Sequence, residues 1–137
     1  MRIGFSPRAL IRDAKGRVLM LRRSASSRAW PGCWELPGGK PDAGEALDIA
    51  LQRETLEETG FTIEVLALAG SAQTELTLPD GPIRIIFVVL TANVVSGTLT
   101  LSDEHDQADW VSSQDLLDLP LVESIRAVLN NAIDLTG

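Results

Sequence analysis

The segment from residue 45 to residue 59 contains neither glycine nor proline, and residues that interrupt regular structure bound it on both sides. Before it lies the loop 37–44, with two prolines and three glycines. After it comes Gly60, which favours the left-handed conformation that ends a helix, and then the apolar Phe61. The pattern therefore predicts an irregular loop, a helix over 45–59 and a sharp helix end. The apolar residues at helical spacing on this segment are Leu47, Ala50, Leu51 and Leu56.

Three glutamates near the end of this predicted helix should project from one patch. Glu54, Glu57 and Glu58 are related by steps of three and four residues. Like charges at this spacing weaken an isolated helix by about 0.2–0.5 kcal/mol, and the carboxyl end of a helix dipole also disfavours anions. Only Glu57 has a cation four residues earlier, Arg53. We therefore expect a compensating positive charge from divalent cations, which prefer oxygen ligands.

These residues resemble the Nudix box, GX₅EX₇REUXEEXGU, over the segment from Gly39 to Phe61. The matching residues are Gly39, Glu45, Arg53, Glu54, Glu57, Glu58, Gly60 and Phe61. Thr55 stands where the pattern prefers an aliphatic residue, and its methyl group can still face the core. The box is the signature of a family of hydrolases that act on nucleoside diphosphates linked to another moiety.

The resemblance implies an α+β fold: an α/β/α sandwich with a mixed β-sheet and two main helices. It implies hydrolysis of a pyrophosphate bond in a nucleoside di- or triphosphate, or in a nucleoside diphosphate linked to another moiety, with Mg²⁺ or Mn²⁺ as cofactor. A non-catalytic, Nudix-like ligand-sensing module is the alternative, although such modules usually lose the glutamates that this chain keeps. An unrelated Ca²⁺-binding or structural acidic domain would not require Gly39, Arg53 and Gly60 at these spacings.

The resemblance also implies roles for individual residues of the box. The implied metal ligands are the carbonyl oxygen of Gly38 and the carboxylates of Glu54, Glu57 and Glu58. Arg53 would orient Glu57 through a salt bridge, and Glu45 would be a supporting or structural residue.

A further acidic group is expected from a late loop outside the box. Glu104 lies six residues before Trp110, which is similar to the arrangement in MutT-type members of the family. Glu104 is therefore a candidate metal ligand or general base, with Asp103 and Asp106 as alternatives and an exposed acidic loop as the structural interpretation. Glu54 and Glu104 are the two candidate bases, and the sequence does not decide between them.

Substrate contacts are expected from Arg23, Arg22 and Trp34. MutT-type members carry a similar arginine pair, although charges that face solvent at a strand end would look the same. Trp34 or Trp30 could stack on a nucleobase or cap one end of the sheet. Residues 119–123 lack the asparagine that reads an oxidised guanine in MutT-type enzymes. Nucleoside triphosphates, ADP-ribose-like compounds and dinucleoside or sugar diphosphates all remain candidate substrates.

The length of 137 residues and an apolar fraction of 45% predict one domain over residues 1–137. With 19 acidic and 12 basic residues, a net charge of −7 and no basic run, neither a nucleic-acid polymer nor a membrane surface is an expected partner. The absence of a signal-like N-terminus and the single cysteine, Cys33, suit the cytoplasm. The chain could be a monomer or a homodimer.

The remaining secondary structure follows from alternation and turn residues. We expect the strand over 17–22 to return from the first strand as a hairpin, through turn residues 13–16. A helical turn near 115–117 and a final helix over 121–135 should complete the chain. The expected strands are 3–13, 17–22, 34–36, 62–69, 74–78, 83–95 and 107–111.

Overall fold

The computed structural model describes residues 1–131, which form six strands, two α-helices and one 3₁₀ turn. The strands are β1 (Arg2–Ile11), β2 (Val18–Arg23), β3 (Trp34–Glu35), β4 (Phe61–Leu78), β5 (Gly81–Gly97) and β6 (His105–Val111). The helices are α1 (Leu47–Thr59) and α2 (Glu123–Asn131), and the 3₁₀ turn spans Leu116–Asp118. Within the described residues no helix is long and apolar enough to span a bilayer.

The strands form two three-stranded sheets. The first has the order β1–β5–β4, with β1 parallel to β5 and β4 antiparallel to β5, so it is mixed. The second has the order β3–β2–β6 and is antiparallel. This arrangement confirms the expected mixed-sheet architecture.

Alternate residues of β1 face opposite sides, and each side is covered by one helix. Ala9 and Ile11 belong to the buried cluster that contains Leu51 of α1. Leu10 belongs to the other cluster, together with Val128 of α2. Because a helix covers apolar residues on each face of the strands, the fold is the predicted α/β/α sandwich.

Helix α1 ends as the sequence predicts. Gly60 adopts φ 78°, and its N–H donates to the carbonyl oxygen of Leu56 at 2.9 Å. One prediction for this helix is wrong: Leu56 is half exposed, whereas Thr55 is completely buried. The buried face of α1 includes Thr55 and Glu58, which are polar residues of the box. The apolar periodicity alone therefore selected Leu56 instead of its neighbour Thr55.

The predicted hairpin between the first two strands does not form a ladder. Their direct pairing is an isolated bridge between Arg12 and Val18, and the two strands belong to different sheets. The turn itself is present, with Gly16 at φ 78° and its N–H donating to the Asp13 carbonyl. The chain therefore crosses from one sheet to the other at this turn.

Two other boundaries differ from the predicted ones. The strands expected over 62–69 and 74–78 are one continuous strand, β4. Its pairing with β5 has three register shifts, at Thr62/Ile63, Val65/Leu68 and Leu68/Gly70. The final helix begins at Glu123, and the predicted part beyond residue 131 lies outside the described residues.

Candidate active site

Arg53 on α1 joins three glutamates through its guanidinium group. Its Nε and Nη2 donate to the two carboxylate oxygens of Glu45, each at 2.9 Å. Its Nη1 lies 3.2 Å from Glu54 and 3.3 Å from Glu57. The salt bridge expected between Arg53 and Glu57 is present, but the shorter contacts go to Glu45. The Arg53 hydrogen bonds lower the pKa of Glu45 to about 2, so this supporting carboxylate is ionised.

Glu58 is buried beneath the loop that precedes the helix. It is 4% exposed, and its Oε1 accepts a hydrogen bond from the Gly38 N–H at 2.8 Å. Burial raises the pKa of Glu58 to about 9, since the Gly38 hydrogen bond offsets only part of the desolvation. The negative charges of Glu35 and Glu104 also raise it. Without a cation, this carboxyl therefore holds its proton at neutral pH.

Glu54 is partly buried next to the same loop. A Cβ added at Gly39 would lie 2.8 Å from the Glu54 carboxyl carbon, so the loop passes directly over this side chain. Burial raises the pKa of Glu54, the Arg53 contacts oppose that change, and the charges of Glu57 and Glu104 add to it. The charges of Glu57 and Glu104 thus oppose ionisation of Glu54, and the charge of Glu104 also opposes ionisation of Glu58.

The late loop brings Glu104 to the helix glutamates. One ligand atom each from Glu58, Glu104 and His105 lies within 4.8 Å of the others. Of the two alternatives to Glu104, Asp106 forms an ion pair with Arg22 at 2.7 Å. Asp103 is exposed, as Glu104 is, and both line the same cavity. The loop is held in place by the Ser24 N–H, which donates to the Glu104 carbonyl oxygen at 3.0 Å.

The predicted substrate-binding residues lie in different environments. Arg23 lines a cavity of about 240 Å³ together with Glu104 and the serines at 24, 26 and 27. Arg22 is held by Asp106. Trp34 is 8% exposed and packs in the α2-side core, which favours the packing interpretation over stacking on a ligand. Trp30 is 49% exposed.

Sequence reasoning missed a buried ionic cluster centred on Glu35. This residue is 3% exposed, and its carboxylate contacts Arg8 at 3.3 Å, Arg23 at 3.0 Å and the His105 Nε2 at 2.7 Å. Burial alone would raise the pKa of Glu35, but the His105 hydrogen bond and the two arginines lower it below its ordinary value. The partners are 27, 12 and 70 residues away in the chain, so no local pattern could have predicted the cluster.

A largely apolar groove of about 320 Å³ borders this cluster. Arg8 and Lys40 supply its cationic groups, and the Arg8 guanidinium carbon lies 5.7 Å from the centre of the Phe87 ring. Its other apolar side chains include Phe5, Leu76, Leu78 and Ile85. Lys40 directly follows the two glycines that contact Glu58 and Glu54, so this loop contributes both to the groove and to the glutamate site.

The raised pKa of Glu58 predicts that the metal-free protein loses stability as pH rises. The folded-state pKa of Glu58, about 9, exceeds the ordinary value of 4.5. The contribution of the protonated Glu58 carboxyl to the free energy of unfolding is therefore fully present below pH 4.5 and is lost as pH approaches 9. Between these values we expect the free energy of unfolding to fall by up to about 1.4 kcal/mol per pH unit. Glu58→Gln should flatten this slope, as measured by urea unfolding in EDTA from pH 5 to pH 9. Parallel curves for the two proteins would contradict the assignment.

Comparisons with known proteins agree with this geometry. The profile of the NUDIX domain family matches residues 5–132. The chain is 32% identical over 125 residues to the nucleoside triphosphatase NudI of Klebsiella pneumoniae subsp. pneumoniae, covering 86% of this chain and 89% of that protein. It is 31% identical over 108 residues to an ADP-ribose pyrophosphatase of Methanocaldococcus jannaschii, covering 79% of this chain and 60% of that protein. The crystal structure of a MutT protein from Methanosarcina mazei Go1 superposes with a TM-score of 0.83 at 37% identity, covering 94% of this chain and 91% of that chain.

Proposed function

Because this chain belongs to the NUDIX domain family, whose profile matches residues 5–132, we propose that it is a divalent-metal-dependent hydrolase of a pyrophosphate bond in a small nucleotide. The observation that carries the proposal is the approach of Glu104 to Glu58, which lies on the same helix as Glu54 and Glu57, the two glutamates that Arg53 contacts. One single-domain protein over residues 1–137 would contain the whole site.

The residues present fit a divalent cation. The charge of Glu104 raises the pKa of both Glu54 and Glu58, and a cation beside these groups would favour their ionised forms. Their oxygens are donors that suit Mg²⁺ or Mn²⁺. The residues proposed to hold the metal are Gly38, through its carbonyl oxygen, and Glu54, Glu57, Glu58 and Glu104. When bound, the ion supplies positive charge to phosphate oxygens and acidifies water.

The chain's own residues then have separate roles. Arg53 is a positioning residue, because it fixes Glu54 and Glu57 while Glu45 fixes Arg53. Glu54 and Glu104 are the two residues proposed to accept a proton from water. The pH profiles of Glu54→Gln and Glu104→Gln distinguish the two, since only the variant that lacks the base loses the acidic limb of kcat.

The groove provides a place for the organic part of the substrate. Its apolar side chains suit a base or another flat, weakly polar group, and Arg8 and Lys40 suit negatively charged phosphate. Arg23 lines a separate cavity, which it shares with Glu104. We therefore propose Arg23, rather than the buried Trp34, as the principal substrate contact among the residues predicted from the sequence. Arg22 would support it from the neighbouring position on β2.

A hydrolysis assay over a panel of substrates, with the phosphorylated products separated by ion-exchange chromatography, tests the proposed function. The panel contains nucleoside triphosphates, ADP-ribose, a dinucleoside polyphosphate and a sugar nucleotide, each with Mg²⁺, with Mn²⁺ and with EDTA. Inorganic tripolyphosphate is the matched control, because it carries the bonds to be cut but no organic part for the apolar side chains of the groove to bind. We expect turnover that EDTA abolishes and a kcat/KM for at least one nucleotide that exceeds the control.

Two outcomes would contradict this proposal. Turnover that survives EDTA would exclude the metal-dependent mechanism. Metal-dependent binding of a nucleotide with no turnover of any compound would favour the ligand-sensing module instead.

A further inference from the structure

His105, the single histidine of the sequence, lies buried between the Glu35 cluster and the metal-site glutamates. It is 3% exposed, and its Nε2 lies 2.7 Å from Glu35 Oε2. Its other ring nitrogen, Nδ1, is buried without a hydrogen-bond partner among residues 1–131. A buried polar atom without a hydrogen-bond partner reduces stability, so a ligand bound to this nitrogen would remove that cost.

The surroundings of Glu35 determine which nitrogen carries the hydrogen. Arg8 and Arg23 both contact this carboxylate, at 3.3 Å and 3.0 Å. A carboxylate contacted by two guanidinium groups can only accept, so the Nε2 of His105 carries the hydrogen of its 2.7 Å contact with Glu35. The buried Nδ1 is then the ring nitrogen left for a ligand. Nδ1 is therefore a free donor atom for a metal.

The position of the ring supports the same conclusion. A ring nitrogen of His105 lies within 4.8 Å of carboxylate oxygens of both Glu58 and Glu104. Two ligand atoms on opposite sides of one ion, with bonds of about 2.1 Å, are about 4.2 Å apart. Slightly shorter distances among Glu58, Glu104 and His105 would thus bring their three ligand atoms to coordination distance of one ion. A histidine that ligates a metal usually donates its other N–H to a carboxylate or carbonyl group. Here the Glu35 carboxylate accepts that hydrogen bond.

We propose that His105 donates Nδ1 as a nitrogen ligand to a divalent ion shared with Glu58 and Glu104, so that the protein binds Mn²⁺ or Co²⁺ more tightly than Mg²⁺. An imidazole nitrogen favours the transition ions, whereas a site of oxygen donors alone suits Mg²⁺. The inference rests on the metal site of the proposed function and adds one ligand to it.

Pulsed electron paramagnetic resonance on the wild-type chain with Mn²⁺ alone tests this ligand directly. We expect modulation from a directly bound ¹⁴N, replaced by the ¹⁵N pattern when the protein is grown with ¹⁵N-labelled histidine. The label is unambiguous because the chain has one histidine. Bound Mn²⁺ with no nitrogen modulation would overturn the inference and leave a carboxylate site intact. Failure of Mn²⁺ and Mg²⁺ to bind at all would overturn the proposed metal dependence as well.

Affinities of variants provide a second readout that does not depend on turnover. We expect His105→Gln to weaken Mn²⁺ binding by about 10-fold or more and to change Mg²⁺ binding much less, as measured by calorimetry. Asp109→Asn, an exposed acidic residue on the same strand, is the control and should change neither. Equal losses for both ions in a folded His105→Gln protein would contradict nitrogen ligation. If that variant does not fold, the labelled wild-type chain still decides the question.

Discussion

Replacing Glu57 with glutamine should lower kcat by about 100-fold or more while leaving the melting temperature nearly unchanged. The Glu57 side chain is 56% exposed, so the fold does not depend on burying it. Glutamine keeps the size of the side chain and removes the charge that we propose holds the metal. Steady-state kinetics with Mg²⁺, beside thermal melts of both proteins in EDTA, measure the two effects separately.

Glu75→Gln is a matched control for this variant. Glu75 is 55% exposed and also pairs with an arginine, Arg84, at 2.6 Å, but it lies on β4, outside the segment of the box. A surface ion pair of this kind contributes little to stability, so the control should retain its kcat and its melting temperature. Near-normal turnover in Glu57→Gln would refute the assignment of Glu57 as a metal ligand.

The part of the site that the sequence predicts well is the part that one helix builds. Glu54, Glu57 and Glu58 share a patch because helical geometry relates residues three and four positions apart, whatever packs around them. The helix end at Gly60 is equally local, since it depends on one glycine in the left-handed region. Glu104 could be placed only through the resemblance to the family, because it reaches the helix from a loop about 50 residues later.

Contacts between distant segments were not predictable in the same way. Arg8 looks like an ordinary residue of a strand, and Glu35 looks like a surface charge on a short one. They meet only because β1 and β3 both approach the loop before α1, where Arg8 bridges to Gly38. The alternation of β1 and β2 likewise predicted two strands correctly but could not show that they belong to different sheets.

Replacing Gly38 with alanine should reduce the free energy of unfolding by about 2–6 kcal/mol, since backbone strain and overpacking add together. The residue has φ 145°, and an added Cβ would lie 2.1 Å from the Pro7 carbonyl oxygen and 2.9 Å from the Arg8 Cα. Both obstacles are backbone, so no side chain can rotate away from them. The loop cannot easily retreat, because the Gly38 N–H donates to Glu58 and the Ala9 N–H donates to the Pro37 carbonyl. Urea unfolding in EDTA measures the loss without any contribution from metal.

Gly44→Ala separates the clash from the strain of a positive φ. Gly44 lies in the same loop at φ 79°, and an added Cβ there would meet nothing within 4 Å. We expect a cost of about 1–2 kcal/mol, which is that of a left-handed alanine alone. The excess for Gly38→Ala then measures how tightly β1 presses on the loop that carries the proposed metal-binding carbonyl. Equal losses in the two variants would mean that the loop moves aside freely, and a loop that moves aside could not hold Gly38 in place beside Glu58.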